Sequence, residues 1–293
     1  MTRSTPPAGI DNPDYIPYDT SSLSFAESGA GPWAAWIIRI VEWLTGKITL
    51  LRLANAFEKT GRKVDTTIWA KVLELLNVTV DCAPEDIARI PATGPVVMVA
   101  NHPFGFVDGL AMAHLVSLVR PDLKILTRAF FANVPEIEHN MVAVAFPHDV
   151  DAQKRNIAVR KEVMEHLAAG GIVILFPAGR VATARRFFGP AVEHDWNPFT
   201  AKMILKSRAR VVPVFFAGQN GWAYQFFQLF SPTIRQGLMI HEVTRLMGST
   251  QAPVIGPVIE REVIDNWKGT QTEFMAYLRG EVLALERSGE AQA

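Results

Sequence analysis

Apolar and polar positions follow two different periods along this chain, and together they predict a mixed α/β fold. Short apolar runs such as 95–101 and 172–177 have the length of buried strands, whereas 151–169 repeats apolar residues at helical spacing. Strands are predicted at 78–82, 95–101, 123–127, 142–146, 172–177, 211–217 and 253–259. Helices are predicted at 66–77, 108–119, 151–169, 197–207, 234–247 and 270–287. Repeated strand and helix units imply a mostly parallel sheet flanked by helices on both faces.

The first 60 residues divide into two parts of different character. Residues 1–32 are rich in Pro, Gly, Ser and Asp and lack the features of a secretory signal, so we expect a flexible tail. Residues 33–60 carry Trp33, Trp36 and Trp43 among scattered charges, without the roughly 20 uncharged residues that span a bilayer. This pattern predicts an amphipathic helical segment that associates with a membrane, and a helix packed on the core has the same periodicity. The remaining chain, 61–293, is predicted to form one domain.

Composition narrows the function classes. Lys plus Arg and Asp plus Glu number 29 each, so no overall positive field favours nucleic acid. Cys82 stands alone, which excludes an intramolecular disulfide, and we expect it to pack as a small apolar residue. The chain has no Gly-x-Ser-x-Gly elbow, Walker loop or dinucleotide-binding glycine motif. His241-Glu242 lacks a second histidine at zinc spacing and is expected to be a surface pair, so we predict neither a metal nor a cofactor.

The strongest chemical signal follows the apolar run that ends at Ala100. Asn101-His102 comes next, then a turn with Gly105, and Asp108 stands at the start of a predicted helix. We therefore expect His102 and Asp108 to face each other. Imidazole accepts a proton near neutral pH, and a carboxylate on its other nitrogen fixes the tautomer and stabilises the imidazolium. The pair predicts a general base for a hydroxyl group, and the alternative is a strand-end histidine beside a capping aspartate.

Other polar segments follow predicted strands. The turn 176–180 combines a glycine with Arg180, and 218–220 follows the run Val-Val-Pro-Val. Arg128 comes directly after strand 123–127 and is predicted to contact the acceptor, with a surface salt bridge as the alternative. In open parallel sheets ligands bind beyond the carboxyl ends of strands, so these segments are expected at one site. Each signal alone is equally typical of a turn that ends a buried strand.

Three of these segments resemble, in this order, the lysophospholipid/glycerolipid acyltransferase superfamily of the PlsC type. They are Asn101-His102 with its downstream Asp, the Phe-Pro-x-Gly turn and the Val-Val-Pro-Val strand, within about residues 75–260. The similarity is greatest to the bacterial hemolysin-like and ornithine-lipid-synthesising branch. It implies an α/β sheet whose N-terminal helical element seats a peripheral enzyme on the cytoplasmic face of the inner membrane. It also implies transfer of a fatty acyl group from acyl carrier protein or acyl-coenzyme A, as co-substrates, to a lyso-lipid hydroxyl.

The resemblance and the residues together assign roles. His102 is predicted to be the general base and Asp108 the carboxylate that orients it, without a covalent intermediate. Backbone amides near Gly105 or Gly179 are the expected donors to the oxyanion. The residues predicted to bind substrate are Asn101, Phe104, Gly105, Arg128, Phe176, Pro177, Gly179, Arg180 and Asn220.

The chain departs from the common family pattern at two places. Five residues separate His102 from Asp108, where the family has four. Ala178 stands where the family has Glu, and Arg180 where it has Thr. A more electropositive pocket favours a lyso-lipid with a carboxylate, a lyso-aminolipid such as lyso-ornithine lipid, over lysophosphatidic acid. A 1-acylglycerol-3-phosphate acyltransferase, a thioesterase and a non-catalytic protein that binds lipid or acyl carrier protein at the membrane remain as alternatives.

Overall fold

The structure is a computed structural model that describes residues 23–28, 31–59, 67–127, 135–145 and 151–290. A short 3-10 helix, Phe25–Ser28, precedes the first α-helix. The helices are α1 (Pro32–Thr45), α2 (Lys47–Lys59), α3 (Ile68–Leu75), α4 (Pro84–Ile87), α5 (Phe106–Ser117), α6 (Pro135–Glu138), α7 (Ala152–Ala168), α8 (Pro198–Lys206), α9 (Trp222–Phe230), α10 (Pro232–Gly237), α11 (Met239–Arg245), α12 (Arg261–Asp265) and α13 (Gln271–Glu290). The strands are β1 (Thr79–Val80), β2 (Val96–Ala100), β3 (Leu123–Thr127), β4 (Met141–Ala143), β5 (Ile172–Leu175), β6 (Thr183–Ala184), β7 (Ala191–Val192), β8 (Arg210–Phe215), β9 (Thr250–Gln251) and β10 (Val254–Ile255).

The central sheet has six strands in the order β10-β8-β2-β5-β3-β4. All pairings are parallel except that of the edge strand β10 with β8. The predicted mostly parallel sheet is therefore confirmed. Strand β2 lies between β5 and β8, with Val96 opposite both Ile172 and Arg210. The carboxyl ends of these three strands consequently meet at the centre of one sheet edge.

Strand β2 shows why helices cover both faces. Val96 and Met98 pack in an apolar cluster with residues of α3 and α5, whereas Val97 and Val99 pack with residues of α7, α8 and α13. All five residues of the strand are buried. A strand that is buried on both faces has a continuous apolar sequence, which explains the run at 96–100.

The sequence predicts that Asp151 caps the first turn of helix 151–169 and that Gly170-Gly171 ends this helix. Gly170 has a φ of +90°, and the amide of Gly171 donates to the carbonyl of His166, so the glycine pair ends the helix as predicted. Asp151 precedes the helix, but its φ is +57° and its side chain makes no capping hydrogen bond. The predicted cap at Asp151 is therefore wrong.

Four stretches differ from the predicted elements. The predicted helix 234–247 is divided into α10 and α11, and Gly237 at the break leaves room for α1, because a Cβ there would lie 2.8 Å from Cβ of Val41. The predicted strand 253–259 shortens to β10, and beyond it Ile259 forms an isolated bridge with Val211. Helix α9 was not predicted, because its aromatic run lacks a clear helical period. The β6–β7 hairpin was not predicted, because its basic turn is typical of a loop.

The N-terminal segment forms α1 and α2 in place of one helix. Helix α1 packs on α10 and α11 through a face that includes Ile38 and Glu42. Glu42 accepts hydrogen bonds from Ser24 Oγ (2.6 Å) and Phe25 N (2.7 Å), which hold residues 23–28 against the helix, and burial raises the pKa of its carboxyl. The large apolar side chains exposed on α1 and α2 are Trp33, Trp36, Ile40, Trp43, Leu44 and Ile48. Helix α1 therefore combines core packing with an exposed aromatic face.

Two further observations concern the sequence-based expectations. Within the ranges that the structure describes, no helix has both the length and the apolar character needed to cross a bilayer. Cys82 is half-buried and packs against the core, as predicted, and burial raises the pKa of its thiol to about 11.

Candidate active site

The three polar segments that were predicted to share one site lie at the carboxyl ends of β2, β5 and β8. Asn101 follows β2, and its side-chain amide donates to the carbonyl of Phe216 (2.8 Å) and accepts from its N–H (2.8 Å). Phe176 follows β5, and its ring stacks on that of His102 with centroids 4.1 Å apart. The order of the sheet thus brings together residues more than a hundred positions apart in the chain. The predicted substrate residue Asn101 is engaged in fixing one strand end to the next.

His102 and Asp108 face each other as predicted. Asp108 Oδ2 lies 3.0 Å from His102 Nδ1 and accepts hydrogen bonds from the amides of Phe104 and Gly105, both at 2.9 Å. The carboxylate closes the first turn of α5 and is fully buried, so its position is fixed before any substrate arrives. His102 Nδ1 makes no hydrogen bond with any described residue. A proton on this nitrogen is therefore not aligned with the carboxylate. Such contacts commonly tighten when substrate binds.

The turn between the two residues depends on Gly105. Its φ is +88°, and a Cβ at this position would lie 2.8 Å from Met239 Cε and 3.1 Å from Val181 Cγ2. A side chain would therefore meet both an unfavourable backbone conformation and a filled space. Phe104 is buried in the same turn and lies over Gly218, where a Cβ would come within 2.6 Å of the ring.

The imidazole is enclosed on its Asp108 side and keeps partial access to solvent. The side chain of His102 is 17% exposed, whereas that of Asp108 is 0% exposed. Because Nδ1 faces the carboxylate, the remaining ring nitrogen, Nε2, is the one placed to exchange a proton with a substrate. The arrangement has the geometry of a base with an orienting carboxylate.

Glu193 is a member of the site that the sequence did not indicate. Its Oε2 accepts a hydrogen bond from the backbone N–H of His102 (3.1 Å), and its Oε1 accepts one from Trp196 Nε1 (2.9 Å). Arg279 of α13 donates to the Glu193 carbonyl at 2.6 Å. Burial raises the pKa of the Glu193 carboxyl, against the opposing effect of these hydrogen bonds and of nearby positive charge. Glu193 lies in a polar stretch, Glu-His-Asp, whose sequence resembles that of an exposed loop, so no signal distinguished it.

The turn after β5 places the predicted residues 176–180. The carbonyl of Pro177 accepts from Asn197 N (3.0 Å), and Gly179, at a φ of +65°, donates to the carbonyl of Phe176 (2.9 Å). The amide of Gly105 likewise donates to Asp108. The N–H groups of Gly105 and Gly179 are thus directed into their own turns, and the expectation that amides near these glycines stabilise the oxyanion stays a prediction.

Positive charge gathers beside this turn. Arg180 is exposed, and His194 lies nearby with its Nε2 2.8 Å from Thr183 Oγ1. Burial lowers the pKa of His194, and the charges of Arg180, Arg185 and Arg235 lower it further, in that order. Three guanidinium groups therefore act on one imidazole, and the carboxylate of Asp195 opposes them with a smaller effect on its pKa.

The loop after β8 borders the site on a third side, beside the segments that follow β2 and β5. Asn220 is 1% exposed, and its side-chain nitrogen and oxygen have no hydrogen-bond partner among the described residues. A buried amide in this condition is unusual and fits a contact that substrate or water completes. The loop is fixed by Glu242, whose Oε2 accepts from Gly221 N (2.8 Å) and Arg245 Nε (2.6 Å). Glu242 is 1% exposed, so the predicted surface pair His241-Glu242 is wrong for the glutamate.

One predicted substrate residue has no described position. Arg128 directly follows β3 and lies outside the residues that the structure describes. Its contact with the acceptor stays a prediction.

Comparisons with known proteins agree on one family. A family model described as an acyltransferase matches residues 69–246. The chain is similar to the lyso-glycine lipid O-acyltransferase of Phocaeicola vulgatus, at 25% identity over 169 residues, which are 57% of this chain and 57% of that protein. It therefore spans a little over half the length of this relative.

A solved structure has a similar fold. It is the 1-acyl-sn-glycerophosphate (LPA) acyltransferase PlsC from Thermotoga maritima, with a TM-score of 0.50 and 14% identity, over 92% of this chain and 94% of that one. At this identity the likeness concerns the fold alone.

Proposed function

The chain belongs to the acyltransferase family, and we propose that it transfers a fatty acyl group from an acyl thioester to the hydroxyl of a lyso-aminolipid. The donor is acyl carrier protein or coenzyme A carrying the acyl group. The reaction takes place at the cytoplasmic face of the inner membrane, to which α1 attaches the protein peripherally. The exposed tryptophans of α1 support this attachment, because such rings settle at the depth of lipid headgroups.

The approach of His102 Nδ1 to Asp108 Oδ2, at 3.0 Å, is the observation that carries the proposal. With a proton on Nδ1, the lone pair of Nε2 takes the hydroxyl proton while the hydroxyl oxygen attacks the thioester carbonyl. Collapse of the tetrahedral intermediate breaks the C–S bond, and the imidazolium returns its proton to the leaving thiolate. The buried carboxylate of Asp108 stabilises the imidazolium between these two steps.

The acceptor is proposed from the charge at the turn after β5. Ala178 supplies no carboxylate there, and Arg180 adds a guanidinium to a region that Arg185 and Arg235 already make positive. A guanidinium pairs well with a carboxylate headgroup. The similarity to a lyso-glycine lipid O-acyltransferase supports an amino-acid headgroup over a bare phosphate.

An acceptor competition with purified protein tests the proposal. Thiol release from acyl-coenzyme A and from acyl carrier protein is followed with lyso-ornithine lipid, lyso-glycine lipid or lysophosphatidic acid, and the lipid product is identified. We expect release to depend on acceptor and kcat/KM to be higher for a lyso-aminolipid. A higher kcat/KM for lysophosphatidic acid would assign the protein as a 1-acylglycerol-3-phosphate acyltransferase.

Two other outcomes separate the remaining functions. Release that is equally fast without acceptor identifies a thioesterase, and an absence of release with every acceptor identifies a binding protein. Arg180→Ala should raise the acceptor KM more than it changes acceptor-independent hydrolysis. Arg208→Ala, at an exposed position just before β8 and therefore at the opposite end of the strand from the site, serves as its matched control.

A further inference from the structure

A set of exposed aromatic side chains lies between the β6–β7 hairpin and α9. We call it the aromatic surface, and its members are Phe187, Phe188, Trp222, Phe226 and Phe230. Phe188 is 96% exposed and Trp222 is 75% exposed. Large apolar residues exposed singly are ordinary in soluble proteins, whereas a contiguous patch marks a binding surface.

The rings form one patch that spans two elements. Phe187 at the hairpin tip lies 5.8 Å from Phe226 and 5.1 Å from Phe230, measured between ring centroids. Phe226 lies 4.9 Å from Phe230 and 6.4 Å from Trp222. The hairpin tip and α9 therefore present a continuous apolar face to solvent.

The backbone at the tip is strained for the residue it carries. Phe188 has a φ of +56°, in the left-handed region that bulky side chains rarely adopt. Its ring is almost wholly in solvent, so burial of the ring gives the fold no compensation for that strain. A strained conformation retained without a packing benefit indicates that the exposed ring has a function.

The two chain segments that carry the patch are basic. Residues 181–192 and 219–238 contain Arg185, Arg186 and Arg235 and not one Asp or Glu. Arg185 and Arg186 are exposed beside the tip. Aromatic rings bordered by arginine suit a bilayer with anionic headgroups, where each basic residue adds attraction.

The elements that carry the patch pack on the same buried cluster as α1. Val181, Tyr224, Leu238 and Met239 form a buried cluster against which Val41 of α1 also packs. Helix α10 contacts both α1 and α9. The tryptophans of α1 and the aromatic surface thus belong to one packed unit.

Residues at both ends of the β6–β7 hairpin are hydrogen-bonded to the backbone of His102. The amide of Ala182, just before β6, donates to the carbonyl of His102 (2.8 Å). The carboxylate of Glu193, just after β7, accepts from the N–H of the same residue (3.1 Å). The hairpin therefore connects its exposed tip directly to the backbone of His102.

We propose that the aromatic surface is a second membrane-binding element, which inserts its rings into an anionic bilayer and sets His102 at the headgroup layer. This goes beyond the proposed reaction, since it names the surface that docks, and binding can be measured without any acyl transfer. The α1 face and the aromatic surface then contact the same bilayer together.

Vesicle sedimentation of the full chain tests the proposal. Phe188→Asn removes the ring and suits a positive φ, because asparagine tolerates this conformation. We expect at least about a tenfold weaker binding to vesicles of phosphatidylcholine with phosphatidylglycerol, with a melting temperature that is not lowered. Ile157→Asn, at an exposed apolar position on α7, is the matched control and should bind as the unchanged protein does.

The arginines provide a second variant. Arg185→Gln with Arg186→Gln should reduce the preference for phosphatidylglycerol over pure phosphatidylcholine and the sensitivity of binding to salt. Unchanged vesicle affinity of Phe188→Asn would overturn the proposal. So would an effect confined to binding of acyl carrier protein, because the surface would then recognise an acidic protein.

Discussion

The turn 101–108, which we propose to be catalytic, and the aromatic surface invert the usual placement of residue types. In the turn, the carboxylate of Asp108 is fully buried and bonded to two amides, whereas in the aromatic surface the ring of Phe188 is 96% exposed. Burial of a charge costs free energy unless its partners compensate, and exposure of a large ring forgoes the stabilisation that its burial would give. The turn therefore holds a buried charge that its amide partners compensate, whereas the surface exposes a ring whose burial would have stabilised the fold. This difference fits the functions that we propose, which are chemistry for the turn and membrane binding for the surface.

This difference separates the expected effects of mutation. Substitutions in the turn should slow a reaction whose substrate is already bound, because the proposed base His102 and its partner Asp108 lie there. Substitutions in the aromatic surface should change the fraction of protein on the membrane while the chemistry proceeds. Measurements with vesicles present and absent distinguish the two.

The largest effect is expected for His102→Ala. Loss of the base should reduce kcat/KM about 10²–10⁴-fold, with far-ultraviolet circular dichroism and melting temperature nearly unchanged. His139→Ala, at an exposed position outside the site, should keep full activity. A folded His102→Ala protein that remains active would remove the proposed mechanism.

Asp108→Asn sharpens the same contrast within the turn. The amide loses the negative charge that stabilises the imidazolium, so activity should fall strongly while vesicle binding is retained. Because Asp108 also closes the first turn of α5, this variant should melt at a lower temperature than His102→Ala, since hydrogen bonds to a charged acceptor are stronger than those to a neutral one. Equal melting temperatures of the two variants would contradict this double role.

The two regions also differ in what the sequence predicted. The turn was found because His102, Gly105 and Asp108 stand within seven consecutive positions after an apolar run, and such local order survives folding. The juxtaposition of β2, β5 and β8 followed from the rule that strand ends of a parallel sheet share one edge. The confirmed sheet therefore rests on periodicity and on this rule.

The parts that the sequence did not reveal depend on distant contacts. Glu193 reaches His102 only because the hairpin returns to β2, and its sequence neighbours are those of a loop. The sequence around Glu242 is typical of a surface helix, and only the fold shows that Gly221 donates a hydrogen bond to its carboxylate. The aromatic run 222–230 has the composition of a core. Only the fold shows that three of its five aromatic side chains, Trp222, Phe226 and Phe230, are exposed, whereas Tyr224 is buried.

A smaller effect is expected from α1. Changing Trp36, Ile40 and Trp43 to Glu places charges on its exposed face and should weaken vesicle binding about tenfold or more, with the acyl-transfer rate on detergent-dispersed substrates less affected. Ile157→Glu on α7 controls for the added charge at an exposed apolar position. If α1 and the aromatic surface contact one bilayer, adding Phe188→Asn should weaken binding further. Unchanged vesicle binding by the triple variant would exclude α1 from the membrane contact.

The smallest effect is expected at Glu193, which joins the two regions. It follows the hairpin that carries Phe188, and it accepts a hydrogen bond from the N–H of His102, so we expect it to position the histidine. Glu193→Ala removes this acceptor, whereas Glu193→Gln keeps the side-chain length and an oxygen that can accept from the same N–H. We therefore expect Glu193→Ala to lower kcat about tenfold or less at a nearly unchanged KM, because a typical hydrogen bond contributes about 1 kcal/mol. Glu193→Gln should recover most of that loss. A merely structural role would lower the melting temperature of both variants without separating kcat from KM, and equal kcat values for the two variants would show that the hydrogen bond to His102 is not the cause.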